Sequence, residues 1–187
     1  MTQPSRIGTR EQILGAALEL FTTHGYDATS LRAIADRLQM TKAALYYHFP
    51  AKELLLLELT RPFVDGLSRL VTDLRSADDC DADDVLAAYL DLFIDHLEVV
   101  TLLGREPATL NHPDIGPRLR TLVTAIQGHL AGTDPAPERS VRTACAMGVV
   151  HAVPQIPLED LSEQRDTVLA AALAALGGES SAKALRR

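Results

Sequence analysis

Between residues 9 and 23 the apolar side chains of Ile13, Ala17, Leu20 and Phe21 fall at i, i+4, i+7 and i+8, the stripe of an amphipathic helix. Thr9 suits its N-cap and Gly25 its stop. A second, shorter helix is predicted behind Ser30 as cap, with Leu31, Ile34, Ala35 and Leu38 at i, i+3, i+4 and i+7. Gln39 and Met40 then form a tight connection, and Thr41 caps a third helix over residues 42–49. Pro50 ends that helix, because the residue before a proline is pushed out of the α region. Three short helices thus fit ahead of Lys52.

From Ala51 the pattern lengthens. Residues 53–75 read as one helix with Pro62 inside it, where the missing N–H and the crowding of the Glu58 carbonyl predict a kink. The acidic run 78–84 forms a solvated connection and helix start, its carboxylates suited to the positive end of the dipole. Residues 85–103 are strongly apolar on one side (Leu86, Leu90, Phe93, Ile94, Leu97) and predict a core helix. A loop over 111–116, with Pro113 and Pro117, precedes a helix over 118–130, and 132–137 is a break. Two more helices are predicted over 138–153 and 158–176, separated by Pro154 and Pro157. The last stops at Gly177-Gly178, ahead of a frayed Ser/Lys/Arg tail.

Composition supports this reading. Aromatic residues make up 4% of the chain with no Trp, beside many Ala and Leu, and strands recruit β-branched and aromatic residues. The expected fold is all-α, with about nine helices. An apolar share of 47% with 23% charged residues is ordinary for a globular protein of 187 residues. No uninterrupted apolar stretch reaches membrane-spanning length, and the first nine residues lack the apolar core of a signal peptide, so a cytoplasmic protein with no membrane partner is expected. Cys80 and Cys145 lie far apart without CxxC spacing. Reduced, partly buried thiols are the expectation, with no metal and no cofactor.

The net charge of -7 argues at first against nucleic acid as a partner. It is unevenly spread. Residues 1–52 hold six basic side chains (Arg6, Arg10, Arg32, Arg37, Lys42, Lys52) against four acidic ones (Glu11, Glu19, Asp27, Asp36), a net +2 that leaves -9 on the remainder. A modestly basic end joined to an acidic body fits one end that contacts DNA and one that cannot.

The stretch 30–49 meets the requirements of a helix-turn-helix: an apolar scaffold helix, a tight turn, and a second helix with small or polar residues at the N-terminal end that enters the major groove. With Leu45 facing the core, Phe49 lies about 40° away, while Ala43 and Tyr47 point in nearly the opposite direction and Ala44 and Tyr46 flank them. The string Thr29-Ser30-Leu31-Arg32-Ala33-Ile34-Ala35, followed by Thr41-Lys42-Ala43-Ala44-Leu45-Tyr46-Tyr47-His48-Phe49-Pro50-Ala51-Lys52-Glu53, resembles the DNA-binding signature of the TetR family of transcription regulators. The likeness covers about a quarter of the chain; beyond it only length and helix content are similar. It departs from the family at Gln39, where a glycine usually supplies positive φ. A side chain there costs on the order of 1 kcal/mol unless the turn is reshaped.

The resemblance implies a helix-turn-helix domain over residues 1–52 and an effector-binding, dimerising helical bundle over 53–187. It implies that Lys42, Ala43 and Ala44 approach base edges, with alanine methyls available to thymine methyls. Tyr46, Tyr47 and His48 would meet phosphate and sugar. Lys52, at the start of the fourth helix, would hold a phosphate together with the helix amides, and Thr41, Ser30 and Arg32 are further phosphate candidates. The bland alternative makes Tyr46, Tyr47 and Phe49 packing aromatics and Lys52 an ordinary surface lysine.

For the body, the resemblance implies that the last two helices of each subunit form a homodimer interface. Ala144, Gly148 and Ala152 would permit close helix approach, and Val168, Leu169, Leu173 and Leu176 form an apolar stripe. The alternative is that these residues pack within one subunit. The middle helices would enclose a small, largely apolar effector, with Tyr89, Phe93, His96, Leu97, Leu110, Leu122, Ile126, Gln127 and His151 as candidate lining. A metal sensor using His96, His112, His129 or a cysteine lacks any i, i+4 pair or CxxC to support it. The function expected is a repressor released from palindromic operator DNA by an effector, not an enzyme. The sequence carries no GxSxG, HExxH or phosphate loop. An effector-independent activator or architectural protein with the same head is the competing reading.

Overall fold

A computed structural model of the chain describes residues 8–76, 80–156 and 158–177. Pro157, the tail beyond Gly177 and the Asp78 end of the acidic run lie outside them. Among the described residues the secondary structure is wholly helical, as expected: α1 (Thr9–His24), α2 (Leu31–Arg37), α3 (Lys42–His48), α4 (Lys52–Ser76), α5 (Ala82–Asp95), α6 (Leu97–Arg105), the single turn α7 (Pro107–Leu110), α8 (Gly116–Ala131), α9 (Pro137–His151) and α10 (Leu158–Leu176), with a 3-10 turn over Val153–Gln155. They divide into two compact units. One comprises the residues up to Pro62 together with Glu98–Gly116; the other comprises Phe63–Leu97 and the residues from Pro117 on.

In the first unit, short-range polar contacts start the helices. Gly8, not Thr9, is the N-cap of α1, and its N–H donates to Glu11 Oε2 at 3.1 Å. Ser30 Oγ accepts from the Ala33 N–H at 3.1 Å, and Thr41 Oγ1 from the Ala44 N–H at 3.2 Å, each satisfying an amide that a helix start leaves unpaired. Ile13, Ala17 and Phe21 of α1, Ile34 and Ala35 of α2, Leu45 of α3, then Phe49, Leu55 and Leu56, are fully buried. The first turns of α4 therefore belong with the helix-turn-helix core. Arg10 adds an ion pair to Glu58 at 3.1 Å while its guanidinium lies 4.8 Å from the Phe49 ring centre. The Arg10 hydrogen bond, with help from Arg61, holds the Glu58 carboxyl below the ordinary carboxylate range.

One expectation holds and one changes. A single helix carries Pro62, as the spacing predicts: α4 runs from Lys52 to Ser76. Its inward side, with Leu55 and Leu56 before the proline and Phe63, Val64 and Leu67 after it, is buried, and that packing outweighs one lost backbone hydrogen bond. Conversely, the single core helix expected over 85–103 is two. His96 leaves the α region at φ -119 and ψ 28, and its N–H turns back to the Ile94 carbonyl. The chain passes from the second unit to the first one residue later, between Leu97 and Glu98.

In the second unit, Arg165 of α10 forms a two-pronged ion pair with Asp91 of α5, at 2.6 and 2.8 Å. Arg139, on the first turn of α9, donates to the Leu130 carbonyl through Nε and Nη2, at 3.2 and 2.8 Å, and to the Leu176 carbonyl through Nη1 at 3.0 Å. One guanidinium thereby caps the C-terminal ends of both α8 and α10, where helices leave carbonyls unpaired.

Candidate nucleic-acid interface

The turn between α2 and α3 is built as a helix-turn-helix requires. Gln39 takes φ 54, the left-handed conformation that glycine favours. Its N–H bonds the Asp36 carbonyl at 3.2 Å, and the Met40 N–H reaches the Ala35 carbonyl at 2.9 Å. The turn is kept and Gln39 carries the strain, so the departure from the family's glycine is one of sequence and not of geometry.

That turn sets α3 with Leu45 buried, and Phe49 just past its end buried too, while Lys42, Ala43, Tyr46 and Tyr47 face solvent. Ala44 and His48 are half-buried. Tyr47 is 86% exposed and makes an edge contact to the His48 ring at 5.3 Å. The Lys42 ammonium lies 5.2 Å from the Tyr46 ring centre. Ser30, Arg32 and Thr41 are exposed, and Arg32 meets Asp36 at 3.7 Å in a solvated pair. A surface groove of about 560 Å³ runs beside these residues, lined by Asp27, Ala28, Thr29, Ser30, Leu31, Arg32, Lys42, Tyr46 and Lys52. Hydroxyls and the cations of Arg32 and Lys42 converge on it, the donor chemistry that holds phosphate oxygens.

Lys52 is placed differently from the phosphate ligand that the resemblance implies. Its Nζ donates to the Tyr26 carbonyl at 2.8 Å, approaches the Asp27 carbonyl at 3.5 Å, and lies 4.2 Å from the Tyr26 ring centre. Burial, with the charges of Glu53 and Asp27, pushes the Tyr26 phenol up to about 12, so the lysine meets a neutral aromatic face and not a phenolate. Thr29, whose hydroxyl donates to the Gly25 carbonyl at 2.8 Å, and Tyr26 are structural members of this site that sequence reasoning passed over. Their signal was the short α1 to α2 connection itself.

In the second unit, Tyr89, Phe93 and His151 form one aromatic cluster with Phe63 and His96. The Phe93 and His151 rings are stacked at 5.4 Å, and Phe63 meets Phe93 and His96 edge-on at 5.4 and 5.9 Å. Tyr89 Oη and His151 Nε2 share a hydrogen bond at 2.7 Å. Desolvation pushes the Tyr89 phenol up and the His151 imidazolium down, although His151 as a whole is exposed and only its ring packs against the cluster. Leu97 and Ile126 are buried and Leu122 half-buried. Gln127 is exposed, as is Leu110, which belongs to the first unit. Among the described residues no group of three His, Cys, Asp or Glu side chains could hold a metal ion.

On α9, Ala144 and Gly148 are exposed and Ala152, just beyond the helix, half-buried. No atom lies within 4 Å of the place a Gly148 Cβ would take. Val141, 62% exposed, and Cys145 extend this face, at a spacing the sequence displayed but the smaller residues overshadowed. On α10, Val168 and Leu176 are taken by the subunit's own core, a correction to the apolar stripe read from sequence; Leu169 and Leu173 are half-buried.

Residues 13–59 match the family model described as bacterial regulatory proteins, tetR family. The chain belongs to the TetR family. Among similar TetR-type proteins, the negative transcriptional regulator of the biofilm operon IcaR from Staphylococcus epidermidis is 30% identical over 128 residues, covering 65% of this chain and 66% of that one. The regulator QacR from Staphylococcus aureus is 46% identical over 50 residues, 27% of each chain. The chain spans 23% of the length of another such relative, YuxN of Bacillus subtilis. AmtR of Mycobacterium smegmatis shares the fold with TM-score 0.65 at 28% identity, covering 94% of this chain and 90% of that one.

Proposed function

We propose that this TetR-family chain is a sequence-specific DNA-binding repressor that acts as a homodimer on a palindromic operator and is released by a small, largely apolar effector. The observation that carries the reading is α3. Its inner face is locked by Leu45, and its outer face presents Lys42, Ala43, Tyr46 and Tyr47 to solvent after a tight turn. A surface helix bearing two open tyrosines and a lysine gains nothing in a monomer's core; in a major groove its alanines meet thymine methyls and its phenols meet phosphates. Ala44 and His48 stand at the rim of that contact, with Ser30, Arg32 and Thr41 on the backbone of the duplex.

The exposed α9 face supports the dimer. Ala144, Gly148 and Ala152, with Leu169 and Leu173 of α10, suit close packing against a second copy. Two heads would then read half-sites about 34 Å apart, or multiples of that spacing. Tyr89, Phe93, His96, Leu97, Leu122, Ile126 and His151 are the side chains through which an effector in the second unit would act. Release requires it to bind the DNA-incompetent state more tightly than the competent one. The relative FasR of Mycolicibacterium smegmatis, named as a transcriptional activator and 37% identical over 91 residues, favours the competing reading of an activator with a similar head. A regulator of this kind works in the cytoplasm; among the described residues no helix is long and apolar enough to cross a membrane. Selection of binding sites from random duplex DNA, followed by footprinting, tests the reading: it expects one palindrome protected on both half-sites, and diffuse protection without a consensus would overturn it.

A further inference from the structure

We infer that Lys52 is a positioning residue of the DNA-binding head and not one of its phosphate ligands, an inference that rests on the operator reading above. Its ammonium is already engaged. Nζ donates to the Tyr26 carbonyl at 2.8 Å, leans on the Asp27 carbonyl at 3.5 Å, and covers the face of Tyr26 at 4.2 Å. The Tyr26 ring is itself 7% exposed and packs edge-on against Phe21 at 5.1 Å, so this anchor is rigid. To reach a phosphate as a full ligand, the ammonium would have to give up a short hydrogen bond and a cation–π contact that together fix it.

What the lysine holds explains why this matters for DNA. The Tyr26 carbonyl also accepts from the Thr29 N–H at 3.2 Å, and Thr29 Oγ1 returns to the Gly25 carbonyl at 2.8 Å. The next residue, Ser30, caps α2. Lys52 therefore ties the first residue of α4 to the turn that delivers the α2 N-terminus, and so sets the width of the groove that Ser30, Arg32, Lys42 and Tyr46 line. Lys42 is the contrasting case. Among the described residues its ammonium rests only on the exposed Tyr46 ring, at 5.2 Å, a solvent-facing contact from which it can turn to a phosphate.

Salt dependence separates the two roles. Each neutralised phosphate adds about 0.9 to the slope of log affinity against log salt, so removing one phosphate ligand from each head of a dimer lowers that slope by about 2. Operator binding is measured by anisotropy from low to moderate salt at constant temperature, for the full chain and its Lys52→Met and Lys42→Met variants. Helical circular dichroism and melting are recorded for each, and affinity is compared only where all are fully folded. The inference expects Lys52→Met to lose about 10-fold or more in operator affinity with the slope unchanged, and Lys42→Met to lower the slope. Lys52→Arg, which keeps charge but misfits the Tyr26 cradle, is expected to recover little. A slope reduced by about 2 in Lys52→Met, or full rescue by arginine, overturns the inference and leaves the operator reading standing. Unchanged affinity in folded Lys52→Met also overturns it. If the unaltered chain shows no sequence-specific binding, the operator reading falls and this one with it.

Discussion

Helices α3 and α9 both leave part of their surface uncovered, and they do so with opposite chemistry. On α3 the open side is aromatic and cationic: Tyr47 at 86% exposure, Tyr46, and Lys42. On α9 it includes a small, uncharged row, Val141, Ala144, Cys145 and Gly148, flanked by the exposed Glu138–Arg142 ion pair. Phenols and an ammonium bring directional donors to a polyanion, whereas a smooth row of small side chains offers only close approach and the release of water. Exposure alone says that a partner is missing. The side chains say which kind.

The contrast can be broken by exchanging its terms. Gly148→Glu puts a charge in the middle of the smooth face, where the space a side chain would take is open within the subunit. The fold should survive, the dimer should dissociate at micromolar concentration by light scattering, and operator affinity should fall about 100-fold or more as the two heads become independent. A dimeric, tightly binding Gly148→Glu protein would show that α9 is not the dimer surface. Tyr47→Ala should cost about 10-fold in operator affinity. Because so exposed a side chain contributes little to folding, its stability should stay within about 0.5 kcal/mol of the parent and the dimer should be intact.

A smaller effect tests the aromatic cluster of the second unit. His151 is held below its ordinary value of 6.5 by burial against Tyr89 and Phe93. The unfolded chain then takes up the proton more readily than the folded one. The stability that the neutral ring contributes is complete above pH 6.5 and declines as pH falls through that value towards the lowered native one. Melting between about pH 7.5 and 5.5 should therefore drop more in the parent than in His151→Gln, and parallel curves would remove His151 as the cause. The smallest change is in the head. Gln39→Gly relieves the left-handed strain at φ 54 and should raise stability by about 0.5–1 kcal/mol, or about 1–4 °C in Tm. An equal or lower Tm would mean that the Gln39 side chain offsets its own strain.

The head was readable because its signals are local. Ser30 and Thr41 cap helices a few residues away, Pro50 stops α3 from the next position, and Leu31, Ile34 and Ala35 face inward at helical spacing. What stayed hidden depends on residues far apart in the chain. Nothing in the neighbourhood of Lys52 announces that its ammonium will find the carbonyl of Tyr26. The break at His96 lies inside apolar spacing that continues past it, so only the change of packing partners there sets it. On α10 the difficulty is phase: with Val168, Leu169, Leu173 and Leu176 set among alanines, too little polar contrast remains to say which side turns inward. Packing chose Val168, Ala172 and Leu176.

The Arg139 bracket gives two helices a common fate. Because one guanidinium holds final-turn carbonyls of both α8 and α10, fraying at either end lets the shared side chain move away from the carbonyl it holds at the other. The final-turn amides of these two helices, distant in sequence, should consequently exchange with solvent deuterium as a single cooperative event.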